Sequence, residues 1–237
     1  MSTLDEFINS GTSRTASEVN EAMGRVYGYM GLAVVVSMLV SMFVGTNPEL
    51  VKFFFTGIMH YVVIFAPLLY IFFVPILLNS GISKEGAMLV LYSFAALMGL
   101  SFAVIFAVYT MASVFTAFMG SGVLFGVMSF YGYFTKKSLD SLGQYMFVGL
   151  IAIVIASIIN IFIGSTVMQM VISAIAIIIF LGLTAYDTQT LKNDYLTNGE
   201  VYGFDSPEKS ALFGALSLYL NFVNIFQMLL NLLGEKE

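Results

Sequence analysis

Cysteine is absent from the 237 residues, which excludes a disulfide framework, thiol catalysis and a Cys-ligated metal. Tryptophan is absent as well, so an aromatic belt at a membrane boundary has to be built from tyrosine. There is one histidine, His60, and a single His cannot supply a His-x-x-x-His zinc pair. No Gly-x-x-x-x-Gly-Lys phosphate loop occurs. Charge is scarce: Asp, Glu, Lys and Arg make up 10% of the chain, against roughly 25% in soluble domains. The net charge of −5 argues against a nucleic-acid partner, which calls for a basic face.

What is present is apolar. Hydrophobic residues make up 59% of the chain, and mean hydropathy is +0.94. A soluble fold of this length could not hide so much apolar surface, so the lipid bilayer is the solvent. Charge-free stretches run from Val26 to Pro48, Phe53 to Ser83, Gly86 to Thr135, Ser141 to Tyr186 and Ser210 to Gly234. A spanning helix needs about 20 apolar residues. The third and fourth stretches therefore hold two spans each, and the others one. The fold class is an all-α integral membrane protein, a bundle of seven transmembrane helices. The spans are expected at 27–45, 58–78, 87–108, 112–134, 145–163, 167–186 and 211–233. They form one domain over residues 26–234, preceded by a polar cytoplasmic N-terminal tail over residues 1–25. That tail lacks the basic start and short apolar core of a signal peptide. It is read as either an interfacial helix or disordered.

Lys and Arg in the short loops set the orientation. Arg14, Arg25, Lys84, Lys136, Lys137, Lys192 and Lys209 fall on one side, and Lys52 and Lys236 on the other. This places the N-terminus in the cytoplasm. The C-terminus lies outside, unless segment 7 is re-entrant. The uncharged links Tyr109–Ser113 and Gly164–Thr166 predict tight hairpins between spans 3 and 4 and between spans 5 and 6. Pro67 and Pro75 should kink or break span 2. Ala95, Gly99, Ala103 and Ala107 form a small-residue ridge on span 3. Gly122 and Gly126 do so on span 4, and Ala152, Ala156, Asn160 and Gly164 on span 5. Small residues let backbones approach, so a tight bundle around spans 3 to 5 is expected, packed within a monomer.

Polar groups inside a membrane are costly and each needs a reason. Asp187 directly follows the apolar run Ile175–Tyr186. Two readings stand for it: a protonatable gate or cation ligand, or an interfacial carboxylate that ends the span. Asn221, Asn224, Gln227 and Asn231 share one face of segment 7 by their spacing of three and four. That stripe lines a hydrophilic path or makes interhelical hydrogen bonds. His60 lies near the outer end of span 2 and is read as an interfacial residue. Lys136 and Lys137 fit positive-inside anchoring, with anionic-lipid binding as a second reading. No catalytic residues are assigned. Ser121 has only distant His60 as a base, segment 7 carries no Lys for a Schiff base, and it holds no Asp or Glu to complete an aspartyl-protease pair with Asp187.

The run Gly120-Ser-Gly-Val-Leu-Phe-Gly-Val-Met-Ser-Phe-Tyr-Gly-Tyr-Phe-Thr-Lys-Lys137 is followed by Leu139-Asp-Ser-Leu-Gly143. Together they resemble the span-4 end and following loop of the Bax inhibitor-1 (TMBIM) family, bacterial branch. Thr184-Ala-Tyr-Asp-Thr-Gln189 resembles that family's span-6 end, and Ala215-Leu-Ser-Leu-Tyr-Leu-Asn-Phe-Val-Asn-Ile-Phe226 its segment 7. The resemblance covers nearly the whole chain. It implies seven helices with the last enclosed by the others, a pH-sensitive calcium leak, and a cytoprotective role that includes regulation of partner membrane proteins. It also implies a pH sensor made of two aspartates. The first falls on Asp187. The second falls on Asn221, where this sequence departs from the pattern. Two close carboxylates share a proton, whereas an amide donates a hydrogen bond to a carboxylate. The acid switch should therefore be weakened or moved. Asp194, seven residues beyond Asp187, is a candidate substitute carboxylate.

The function expected is an inner-membrane channel, not an enzyme, that leaks calcium or another cation beside segment 7. It would be gated near Asp187, with that carboxylate as the calcium ligand and no other cofactor. The alternative is a non-conducting regulator of a membrane protease or another integral protein, with the small-residue ridges and the Asp187–Ser210 loop as its contact surfaces.

Overall fold

The computed structural model describes residues 15–79, 81–197 and 207–235. The first helix, α1 (Ala16–Gly45), begins well before the expected span limit. A capping box explains its start: the Thr15 hydroxyl accepts from the Glu18 amide, and the Glu18 carboxylate accepts from the Thr15 amide at 2.7 Å. Val19, Ala22, Met23 and Val26 follow at helical spacing and are buried, so this turn is part of the bundle and not of a polar tail. Glu21 and Arg25 pair on the outer face at 2.8 Å. Residues 1–14 lie outside the described residues.

The chain continues through α2 (Pro48–Phe55), capped by Asn47 with Pro48 in its first turn, to α3 (Gly57–Asn79). α3 runs unbroken through Pro67 and Pro75, contrary to a break. Both prolines lie in a peripheral helix. Next come α4 (Lys84–Phe102) and the single-turn α5 (Ile105–Val108), which together make the third span. Between them the bonds tighten to i→i+3, from Ala103 to Leu100 and from Phe106 to Ala103. α1 ends at this joint, where a Cβ on Gly45 would strike the Ala103 carbonyl. The remaining spans are α6 (Met111–Phe134), α7 (Asp140–Ile163), α8 (Thr166–Thr197) and α9 (Pro207–Leu233).

Among the described residues seven helices are therefore long and apolar enough to cross a membrane. Their outward faces carry large bare hydrophobics; Phe162 is 85% exposed. Only hydrocarbon makes such a surface stable. The interior is built around α9. Fifty-six per cent of its apolar stretch is buried, against 6% for α7. α9 packs against α1, α4, α6 and α8. α3 rests on α4, and α7 rests on α8. Four spans thus flank the last helix.

Segment 7 is one continuous helix long enough to cross a bilayer. α9 runs without interruption to Leu233, about 40 Å for its 27 residues. It ends against the α5–α6 link: the Thr110 amide donates to the Glu235 carbonyl at 3.1 Å, and the Glu235 amide donates to the Ser113 hydroxyl at 2.9 Å.

The expected tight bundle around spans 3 to 5 is overturned. α4 and α6 are joined by a short link but separated by α9, so they form no packed hairpin. α7 and α8 do pair. The reason lies in which small residues meet a neighbour. Gly99 sits on the Ser37 backbone of α1, where an added Cβ would come within 2.5 Å of it. Gly122 and Gly126 of α6 face open space, and Ala152 of α7 is exposed. The close approaches to α8 use other glycines. Gly132 lies on the Ala185 backbone, Gly143 on the Tyr186 ring and Gly149 on Ile179.

Candidate functional site between helices α8 and α9

Asp187 does not end its helix. α8 continues for ten residues to Thr197, because Thr188, Leu191 and Tyr195 extend the buried stripe past the first charge. Asp187 lies about 31 Å along α8 from Thr166. That is close to the thickness of a hydrocarbon core, about 30 Å. The carboxylate therefore lies about one such thickness along α8 from the helix start, with helix on both sides of it. Its side chain is half-buried.

One oxygen, Oδ2, takes two hydrogen bonds from α9. The Ser217 hydroxyl donates at 2.6 Å and the Asn221 amide at 2.8 Å. Ser217 and Asn221 are one turn apart, so they share a face and converge on one acceptor. An ionised carboxylate only accepts, which fixes the Asn221 amide with its nitrogen toward Asp187. Asn221 is 5% exposed. The next residue on α8, Thr188, meets the Tyr27 hydroxyl of α1 at 3.4 Å. Three helices are thus joined by polar contacts at one level.

The rest of the polar stripe on α9 disperses. Asn224 donates to the Leu220 carbonyl of its own helix at 2.7 Å. Asn231 accepts from the Tyr109 hydroxyl at 3.2 Å, at the far end of the bundle. Gln227 is half-buried between them. Asp194 is two turns past Asp187, roughly 10 Å along the axis. That separation is too long for the two carboxylates to share one proton.

Below the site, Gln189 ties the α6–α7 link to α8. Its amide oxygen accepts from the Leu139 amide and its nitrogen donates to the Lys137 carbonyl, both at 2.8 Å. Lys192 donates to the Tyr133 carbonyl at 2.7 Å, and the Tyr133 hydroxyl donates to Asn20 of α1. Lys136 and Lys137 are exposed at this end.

Above the site, the buried Tyr219 of α9 meets Ser37 of α1 at 2.7 Å, and the Ser37 hydroxyl also reaches the Ala95 carbonyl of α4 at 2.7 Å. A hydroxyl has one proton. With the Ala33 carbonyl also within reach at 3.0 Å, Ser37 therefore spends its proton on these carbonyls, Ala95 being the nearer, and accepts from Tyr219. On the other flank of α9, Phe222 meets Phe118 and Phe125 edge-on, with ring centroids 5.6 and 5.8 Å apart.

His60 is half-buried at the start of α3, edge-on to Phe55 and Tyr61. Ser121 donates to the Ala117 carbonyl of its own helix. Among the described residues no three His, Asp or Glu come together to hold a metal. A calcium ion takes six to eight oxygens. At this site the protein oxygens on hand are the Asp187 carboxylate and the Ser217 hydroxyl, because Asn221 presents its nitrogen. Ser217 was missed in the sequence. Its signal was its place one turn before Asn221 on the polar face.

Comparison with known proteins covers the whole bundle. The family model described as inhibitor of apoptosis-promoting Bax1 matches residues 19–237. The inner membrane protein YbhL of Escherichia coli K12 is 36% identical over 223 residues, covering 91% of this chain and 92% of YbhL. A protein of Deinococcus radiodurans is 34% identical, covering 94% of each chain. A membrane protein of Streptococcus pyogenes serotype M3 is also 34% identical, over 94% of this chain and 97% of its own. The match begins in the first turn of α1 and runs through all seven spans, the Asp187 helix and its partner α9 included, and the chain therefore belongs to the Bax inhibitor-1 family.

Proposed function

We propose that this protein is a cation leak of the inner membrane, carrying calcium, with its N-terminus in the cytoplasm and its gate at the Asp187 contact between α8 and α9. The observation that carries this reading is the convergence of Ser217 and Asn221 on one oxygen of Asp187. An ionisable group within a membrane helix is costly and is by default read as a functional site. Here it also holds the central helix to its neighbour, so loss of the contact frees both the carboxylate and α9. In this reading the arrangement is the closed state, supported by Gly132 seated on Ala185 between α6 and α8 and by Phe222 packed against Phe118 and Phe125 beside α9.

Because Asn221 is an amide, the contact needs no shared proton. The proposed leak depends on pH less than one gated by two carboxylates. The test is calcium entry into liposomes holding the purified protein, across a pH series, for the native chain and Asp187→Asn. Entry above that of empty liposomes, altered by Asp187→Asn, is the expected result. Folded protein that passes no calcium at any pH would overturn the reading.

A second reading is a non-conducting regulator of another integral protein. The dispersal of the polar stripe favours it, since Asn224 turns back on its own helix. Its contact surface would include the 198–206 segment, which lies outside the described residues. This reading predicts that altering that segment removes function without changing flux.

A further inference from the structure

In the half of the bundle away from Lys136 and Lys192, a cavity of about 200 Å³ opens between α1 and α6. Its back wall is α9, through Phe222, Val223 and Phe226, and its floor is α5. The only polar side chains on its walls are Ser37 and Ser41. Both donate to backbone carbonyls, Ser37 to Ala95 and Ser41 to Met38. Their protons are thus spent, the cavity is otherwise apolar, and a water needs two to four polar partners, so the cavity favours apolar guests. About 150 Å³ suffices for benzene.

The mouth explains which guest. α1 and α6 do not pack against each other along their length. The rim residues Met38, Met111 and Phe115 are 44%, 56% and 66% exposed, on faces that only hydrocarbon covers. Behind the rim, Val223 is 4% and Ser41 5% exposed. The cavity is thus continuous with the lipid-facing surface, and methionine and phenylalanine give it adaptable walls. A void there would forfeit packing along the whole back wall.

We propose that this cavity is a binding site for one acyl chain of a bilayer lipid, inserted sideways between α1 and α6 against α9. The chain packs on Phe222 and Phe226, so α9 is supported by lipid on one flank and by Asp187 on the other. This site stands independently of whether the protein conducts ions.

The absence of tryptophan makes the test direct. Phe226→Trp and Phe115→Trp each give a protein with one tryptophan, the first behind the mouth and the second on the rim. Both are reconstituted in phosphatidylcholine with and without brominated acyl chains. The expected result is loss of fluorescence in brominated bilayers to the same extent at both positions. Filling the cavity with Ser41→Leu, or with Val114→Phe from the opposite wall, should restore the fluorescence of Phe226→Trp and leave Phe115→Trp quenched. Elution as a single species and unchanged helical dichroism establish folding of each variant. Phe226→Trp that stays bright while Phe115→Trp is quenched overturns the proposal. So does quenching of Phe226→Trp that neither filling variant changes.

Discussion

Asn221 donates to the same carboxylate oxygen of Asp187 that Ser217 occupies, so one atom of α8 anchors two successive turns of α9. Replacing the amide by a second carboxylate places two acids within 2.8 Å of one another. Two such groups cannot both ionise cheaply, and one proton is shared. Asn221→Asp should therefore make flux strongly pH-dependent. At low pH the shared proton holds α8 to α9. As pH rises and both acids ionise, repulsion separates them and flux increases. The check is calcium entry from mildly acidic to mildly alkaline pH. A profile identical to that of the native chain would contradict this role for Asn221.

Glycines of α6 divide into two kinds. A Cβ at Gly132 meets the Ala185 backbone, whereas at Gly122 and Gly126 it meets nothing within 4 Å. Gly132→Ala should cost roughly 1–3 kcal/mol, the usual range for overpacking. Gly122→Ala and Gly126→Ala should be neutral or slightly stabilising, since alanine favours helix. Thermal unfolding in one detergent compares all three.

The Ser37–Tyr219 contact is asymmetric. Tyr219→Phe removes one donor and leaves Ser37 bonded to the Ala95 carbonyl. It should cost about 1 kcal/mol. Ser37→Ala strands a fully buried tyrosine hydroxyl, and should cost more, about 1–3 kcal/mol. Equal losses in the two variants would show that the donor assignment is wrong.

Gln189 is the strap on the α6–α7 link. Gln189→Ala leaves the Leu139 amide without its acceptor. Hydrogen exchange at Leu139 should accelerate markedly, while exchange in the middle of α9 stays slow.

The spans were legible because a charge within hydrocarbon is costly, so the charge-free stretches mark them. Helix ends were less so. Asp187 was the first charge after an apolar run, and charge alone could not tell a span's end from a buried site. Thr188, Leu191 and Tyr195 carried the missing signal, a buried stripe that continues past it. Packing partners were least legible. Small-residue spacing identifies a ridge but not its neighbour. Gly122 and Gly126 keep perfect spacing and face outward, while Gly132 and Gly143 on no obvious ridge make the close contacts. The pair Asp187 and Asn221 came from the family resemblance. Ser217 needed the structure, because a serine in an apolar helix most often bonds its own backbone, as Ser121 does.

The most direct measurement uses the absence of cysteine. Gly214 of α9 lies on Leu191 of α8, one turn beyond Asp187. Leu191→Cys with Gly214→Cys places two thiols across this contact in a chain that has no others. Calcium flux is recorded before oxidation, after it, and after reduction. Separation of α8 from α9 as the gate predicts that the cross-link stops flux and that reduction restores it. Undiminished flux with the cross-link complete by mass would contradict the gate at Asp187.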